Sequence, residues 1–389
     1  MRKHKTDVMI RMVELYGQYL TVKDEVDAAV EEVMKSSAFI RGPQVRLLEE
    51  ELAEYVGVDH CITCGNGTDA LLLTFAAMGI GRGDEVIVPS FTFGAVAESV
   101  ALTGATPVFA DVNPLTFNID AQSVERLMSP RTRAIVPAHM FGQPCDMPRL
   151  RSIAQAGGVA IVEDNAQSFG AECRMGESAK AKTGSIGLAG CTSFFPTKVL
   201  GCYGDGGAVF TDNAELASKI RQLANHGQKP KYHYRSLGMN SRLDTLQAAV
   251  LRVKLRHLDE WIAARVRAAK RYDEALAGVA GIVLPMVSEG VTHVYHQYTL
   301  KMIPELRDGL REFLGSQGIE TMVYYPALLN EQYAYREISR SDICMDGARQ
   351  LPGSVVSLPI CSHLEMRSQT KVVAAIKEFM SKGAGSRGM

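Results

Sequence analysis

The chain has 389 residues, 46% of them hydrophobic, enough to bury a substantial core and to form more than one domain. Its 42 Lys and Arg residues stand against 43 Asp and Glu, a formal net charge of −1. So even a balance offers no basic field for nucleic acid or an anionic membrane, and the expected partners are small molecules.

In chain order, the first twenty residues are basic, but Arg11 and Glu14 interrupt the apolar ones, which is unlike a secretory signal. The longest apolar stretch elsewhere, Leu71 to Ile80, is about half of a membrane span and reads as a core helix. A cytoplasmic protein without a membrane partner is expected. In such a protein the eight cysteines are expected as buried small hydrophobes rather than disulfides. Cys61 and Cys64 form a C-x-x-C, but no second Cys or His pair stands at matching spacing. The segment is read as a short buried strand entering a turn, and no metal is expected.

From residue 59 to 211, β-rich runs alternate with helical patterns. Strands are predicted at 61–64, 85–89, 107–111, 134–137, 159–163, 191–195 and 208–211. Asp120 and Asp212 each precede a helical pattern as N-caps. Several strands are apolar on consecutive positions, as strands covered on both faces must be. The alternation implies an α/β fold, a large domain with a mostly parallel seven-stranded sheet. Apolar residues from Leu243 to Ile262 keep helical spacing, so one long helix is predicted over 242–276. It divides a large domain, 1–262 with an N-terminal helical segment, from a smaller α/β domain, 263–389. Beyond it, 296–303 and 321–326 read as strands, and 311–318 as a helix ending at Gly315 or Gly318. The Gly- and Ser-rich tail, 381–389, reads as disordered.

Three segments of the large domain carry candidate chemistry. Gly65-Asn66-Gly67-Thr68-Asp69 follows a strand and opens a helix, where free N–H groups and the dipole favour a phosphate. It matches neither the Walker nor the dinucleotide pattern, and Thr68 or Asp69 could equally cap the helix. GIGRGD at 79–84 precedes a strand and reads as a turn. Glu163 and Asp164 end an apolar strand, where ligands of open α/β sheets gather. A carboxylate there can keep a pyridine nitrogen protonated. Lys198, flanked by aromatic, apolar and glycine residues, would lose its proton easily if buried, leaving an amine free for Schiff-base chemistry. Ser193, five residues earlier, could donate to a phosphate at the same site. Each signal has an ordinary reading as a turn, cap or solvated lysine. The order of glycine loop, strand-end Asp and Lys in one α/β layer is more specific than any part.

At this point the chain resembles the DegT/StrS family of nucleotide-sugar aminotransferases, from about residue 37 to 360. The matching blocks include AFIRGPQV (38–45), GNGTDALLL (65–73), GIGRGDEVIVPSFTF (79–93), IVEDNAQSFGA (161–171), TSFFPTKVLGCYGDGGAVFT (192–211) and GMNSRLDTLQAAVL (238–251). The wording is most similar to members that aminate C3 of UDP-2-acetamido-2-deoxy-3-oxo sugars, above all of the glucuronate type. The resemblance implies the aspartate-aminotransferase fold (PLP fold type I), pyridoxal 5′-phosphate as cofactor, an amino-acid donor such as glutamate, and a homodimer. It implies that Lys198 holds the cofactor as a Schiff base and shuttles the proton, that Asp164 binds the pyridine nitrogen, and that Gln167 lies near the ring. Phe93 would stack on the ring; Gly67, Thr68, Asp69 and Ser193 would hold the phosphate, and Asn240 would reach it from a neighbouring subunit. Arg242 faces the sugar or the donor carboxylate, or else serves as a structural ion-pair residue.

One departure bears on the acceptor. Where the most similar members have His-Tyr-Pro, this chain has Tyr324-Tyr325-Pro326. Tyr keeps a hydrogen-bond donor but not a cation at neutral pH, which either favours an acceptor without the C6 carboxylate or rearranges the same contact. Either tyrosine could instead fill the core. Three competing readings remain: a sugar dehydratase of the same family, which would have His in place of Lys198; a NAD-dependent oxidoreductase, for which the glycine fingerprint is missing; and a binding or regulatory protein without turnover.

Overall fold

A computed structural model of the chain describes residues 9–176, 179–342 and 344–385. Its strands are β1 (His60–Cys64), β2 (Glu85–Pro89), β3 (Thr106–Ala110), β4 (Thr132–Ile135), β5 (Ala160–Asp164), β6 (Glu172–Arg174), β7 (Lys180–Lys182), β8 (Ala189–Ser193), β9 (Gly207–Thr211), β10 (Ile282–Val283), β11 (Tyr298–Met302), β12 (Arg340–Ser341) and β13 (Val355–Leu358). All seven strands predicted before residue 212 form, with ends shifted by up to two residues. They join one sheet in the order β1-β9-β8-β5-β4-β2-β3-β12. The pairs β8–β5, β5–β4, β4–β2, β2–β3 and β3–β12 are parallel, and only β9 runs against its neighbours β1 and β8. Because β9 is the one reversed strand, β1, β2, β4, β5 and β8 all end at the same edge. The eighth strand, β12, lies far along the chain, where its two exposed residues give no apolar signal.

Every residue of β2, Glu-Val-Ile-Val-Pro, is buried, with Val86, Ile87 and Val88 at 0% exposure. Burying one such aliphatic side chain contributes roughly 1.5–3 kcal/mol. Glu85 is tolerated there because it accepts from Arg131, Arg340 and Ser129. Helices start where short polar side chains take up first-turn N–H groups. Asp120 accepts from Gln122 and Ser123, as predicted. The cap of the Ala214–Leu223 helix is Asn213, not Asp212, whose carboxylate instead accepts from the Asp59 N–H. Cys61 and Cys64 lie buried within β1.

The long helix predicted over 242–276 is two helices, Thr245–Arg256 and Leu258–Leu276. His257 leaves the helical path between them, its ring stacked on Trp261 and bonded to Glu25. A one-residue break preserves apolar spacing, so periodicity could not reveal it. The expected domain boundary at 262 falls inside the second helix. A three-stranded antiparallel sheet, β10-β11-β13, carries its own core from residue 268 onward. Two segments cross that division. Ile10 pairs with Ile319 and joins the small core, while Leu328, Leu329, Met345, Ala348 and Leu351 pack into the large one. The predicted strand at 321–326 does not form. Met322 makes an isolated bridge to Ser357, and Val323, Tyr324 and Tyr325 pack on the large core instead. The expected disordered tail is helical through Gly385; its last four residues lie outside the described ones. No described helix is long and apolar enough to cross a membrane.

Candidate active site

The common strand edge collects the motifs singled out in the sequence, together with His139, which was not among them. Gly65 to Thr68 follow β1, Ser90 to Phe93 follow β2, His139 lies just beyond β4, Asp164 ends β5, and Ser193 ends β8. The fold puts them together because parallel strands deliver their carboxyl ends to one side.

The Gly67–Met78 helix is capped by Asn66, whose side chain accepts from the Asp69 N–H at 2.8 Å. The N–H groups of Gly67 and Thr68 have no intrahelical acceptor. Gly67 is required by a close approach: a Cβ there would stand 2.7 Å from the Ser193 Cβ. The helix N-terminus and Ser193 therefore lie directly against one another. The Asp69 carboxylate accepts from Ser241 Oγ at 2.6 Å, and Ser241 Oγ accepts from the Gly65 N–H at 2.9 Å. Thus the side chain of Asp69 serves the loop, while Ser241 ties that loop to the segment bearing Asn240 and Arg242.

Asp164 is held from both sides. Its N–H donates to Pro137, its carbonyl accepts from the His139 N–H, and one carboxylate oxygen accepts from the Ala166 N–H at 3.0 Å. Burial raises its pKa, with the Ala166 N–H, Lys198 and His139 opposing. Burial lowers the pKa of Lys198, and Asp164 partly restores it. Both residues keep some surface open to the cleft, yet their charged ends are ringed by protein, so desolvation leads in each case. The result is an amine that gives up its proton more readily than an exposed lysine, placed within Coulombic reach of a carboxylate.

Glu163, one residue before Asp164, points to the opposite face of β5. Fully buried, it accepts from the Gly184, Ile186 and Gly187 N–H groups and faces His139 Nε2 at 3.0 Å. His139 Nδ1 accepts from the Cys145 N–H, so Nε2 carries the proton and donates to Glu163. The two carboxylates that look equivalent in sequence are thus a structural anchor and a cleft residue.

Gln167 Oε1 accepts from the Phe141 N–H at 2.8 Å, and its Nε2 donates to the Tyr325 hydroxyl at 3.3 Å. Tyr325 packs against Phe91 and Phe93, with ring centroids 6.0 and 6.3 Å away. Phe93 is 59% exposed, an apolar ring presented at the mouth of the cleft. Tyr324 lies beside Tyr325, with ring centroids 5.8 Å apart. Burial raises the pKa of both tyrosines, so both are neutral hydroxyls.

Asn240 and Arg242 are not drawn to Lys198 or Asp164 of the same chain. Asn240 is exposed and pairs with Asn225, and Arg242 Nη1 donates to the Asn225 side chain at 3.3 Å. Arg242 Nε is buried without a partner. The arm between these asparagines exposes Tyr232, Tyr234 and Leu237, the last at 96%. Sequence reading missed His139, Ser241 and His296. His296 is buried with Nδ1 unpartnered, and burial followed by the charges of Lys198 and Arg265 drives its pKa well down. A lone polar residue in an apolar run gives no pattern from which such a place could be read.

Residues 21–377 match the model of the DegT/DnrJ/EryC1/StrS aminotransferase family. The chain is 44% identical over 369 residues to the UDP-2-acetamido-2-deoxy-3-oxo-D-glucuronate aminotransferase of Pseudomonas aeruginosa, covering 95% of this chain and 99% of that one. It is also 44% identical over 372 residues to a pleiotropic regulatory protein of Geobacillus stearothermophilus, covering 95% and 98%. The crystal structure of S. venezuelae DesV superimposes with a TM-score of 0.91 at 40% identity, covering 96% of this chain and 99% of that one.

Proposed function

The chain belongs to the DegT/DnrJ/EryC1/StrS aminotransferase family, and from that premise we propose that it moves an amino group from an amino acid, L-glutamate in the first instance, to the C3 keto group of a UDP-2-acetamido-2-deoxy-3-oxo sugar. The enzyme is a nucleotide-sugar aminotransferase that uses pyridoxal 5′-phosphate. The observation that carries the reading of the site is the Lys198 amine, ringed by protein at the cleft, its pKa lowered by burial, within Coulombic reach of Asp164.

The residues present fit that cofactor. Gly67, lacking a Cβ, lets the helix N-terminus with its free N–H groups lie directly against Ser193, so that backbone N–H groups and the Ser193 hydroxyl can serve one phosphate. When bound, pyridoxal phosphate supplies an aldehyde carbon that can carry an amino group and a ring that takes up electron density. Gly67 and Thr68 would hold the phosphate through backbone N–H groups and Ser193 through its hydroxyl, while the Asp69 N–H, proposed from the sequence for the same task, is taken up by Asn66. Asp164 would accept the hydrogen bond of the ring nitrogen and keep its proton in place. Phe93 would stack on the ring, and Gln167, held by Phe141 and Tyr325, would lie near it. Lys198 Nζ would be the covalent anchor and would take and return the proton at the reacting carbon. The donor leaves as a 2-oxo acid and the keto sugar as an amine, so no external oxidant is needed.

Asn240 completes the phosphate contacts of a second copy of the chain, which makes the homodimer the active unit; its exposure and the apolar arm beside it support this. Arg242, Tyr324 and Tyr325 bind substrate. The neutral Tyr324 favours an acceptor sugar without the C6 carboxylate. The product serves a bacterial surface polysaccharide or lipid A, made in the cytoplasm.

The name of the Geobacillus relative favours a second reading, a regulatory protein of the same fold. Cofactor-loaded protein separates the two. The absorbance band of the loaded enzyme should bleach on adding L-glutamate and return on adding the 3-oxo sugar. A band unmoved by any amino acid would sink the aminotransferase reading.

A further inference from the structure

The turn that follows Lys198 is tightly built. The Lys198 N–H donates to the Phe195 carbonyl, and the Cys202 N–H returns to that of Phe194. A Cβ on Gly201 would stand 2.5 Å from the Pro196 carbonyl oxygen, so the chain folds back directly on the residues before Lys198. Behind this turn runs the Thr245–Arg256 helix, and two side chains seven positions apart, on one face, reach it. Gln247 grips both polar groups of Tyr203, accepting from its N–H at 2.8 Å and donating to its carbonyl at 3.2 Å. Two turns on, Lys254 donates to the Gly201 carbonyl.

Lys254 is an unusual residue for that place. It is 1% exposed and forms no ion pair among the described residues. Besides Gly201 it faces aromatic rings, its Nζ 4.9 Å from the centroid of Tyr203 and 6.0 Å from that of Trp261. Of the titratable groups that act on it, Cys202 favours the charged form and Arg265 opposes it; burial keeps the Cys202 thiol protonated, and no carboxylate answers. Burial pushes its pKa down to about 8. An ammonium desolvated without a counter-ion costs stability, and an apolar side chain of similar volume carries no such cost. Packing alone therefore does not account for a lysine here. Its hold on Gly201, three residues beyond Lys198, does.

We infer that Lys254, together with Gln247, is a positioning residue for Lys198: the pair braces the turn from Gly201 to Gly204 so that the Lys198 amine keeps its place beside Asp164. The role rests on the reading of Lys198 given above. It also joins two parts of the molecule, because the bracing helix is entered through the segment bearing Asn240 and Arg242.

The test is Lys254→Met in the cofactor-loaded protein, read four ways. We expect kcat to fall about tenfold, since sub-ångström misplacement of a reacting group costs rate. KM for both substrates should stay within about twofold, as expected when binding contacts are intact. Amide hydrogen exchange over residues 199–205 should quicken, and Tm should hold or rise because a buried charge is gone. A kcat within about twofold of wild type would overturn the inference. So would a lower Tm or a failure to fold, either of which makes Lys254 a structural residue. Gln247→Leu loosens the same turn without touching the ammonium; unchanged loop exchange in that variant would equally overturn the brace. Exchange and melting need no substrate, so a wild-type protein without turnover would sink the functional reading while these two still report on the turn.

Discussion

Replacing Gly67 by alanine puts a single methyl group between the helix N-terminus and the end of β8. In the structure that methyl would lie 2.7 Å from the Ser193 Cβ and 3.2 Å from its Cα, where ordinary contacts begin at 3.4 Å. Both atoms belong to a strand end and not to a flexible tip, so neither can swing aside. The loop must retreat by about 0.7 Å from Ser193 to relieve the shorter contact. A retreat of that size strains the packing by roughly 1–3 kcal/mol and stretches the hydrogen bonds that the cradle offers a phosphate. With about 1.4–2.8 kcal/mol lost from binding, the dissociation constant for pyridoxal phosphate should rise roughly 10- to 100-fold. Titration of cofactor-free protein by absorbance measures this directly. Gly81→Ala is the control, because its Cβ would stand 3.5 Å from the Thr103 carbonyl oxygen, an ordinary distance. Cofactor affinity within about twofold of wild type in Gly67→Ala would refute the cradle, for no smaller change could leave the close approach intact.

Asp164→Ala should lose turnover by about 10²-fold or more with Tm retained, since its charge serves the cleft while Glu163 anchors the strand; steady-state kinetics beside a thermal melt would check it. Tyr324→His should shift preference toward a UDP-3-oxo sugar bearing the C6 carboxylate, measured as the ratio of kcat/KM for the two acceptors, and an unchanged ratio would remove Tyr324 from substrate choice. Mixed dimers of Lys198→Ala and Asn240→Ala chains should regain up to half of wild-type activity, because one site then holds an intact Lys198 and an intact Asn240; no recovery would place Asn240 outside the partner's site. His293 is buried, with its pKa pushed down to about 3. Below pH 6.5 the unfolded chain therefore takes up a proton before the folded one does. Stability is lost as pH falls from about 6.5 toward 3, by about 1.4 kcal/mol per pH unit for this group. Urea midpoints between pH 6.5 and 5 would show the slope, and His293→Leu should flatten it by that amount.

Lys198, Asp164, the glycine loop and Ser193 were legible in the sequence because strand, loop and helix signals are local, and a parallel sheet delivers successive strand ends to one edge. The fold class follows from the same alternation of buried strands and helices, which any seven consecutive runs of this kind would announce. Other features were decided only by contacts between residues far apart. Glu163 and Asp164 are adjacent and alike in composition, yet the pleat sends one into three backbone N–H groups at 184–187 and the other into the cleft. The tyrosines at 324 and 325 carry strand-like composition, but packing against the large core takes them out of the small sheet. Residues 340–341 complete the edge of the large sheet, although nothing apolar marks them. Lys254 has the spacing of a core position in a helix and the chemistry of a surface one. Local pattern cannot resolve that conflict, because burial of a side chain depends on which turn the chain brings against it, here the one that follows Lys198.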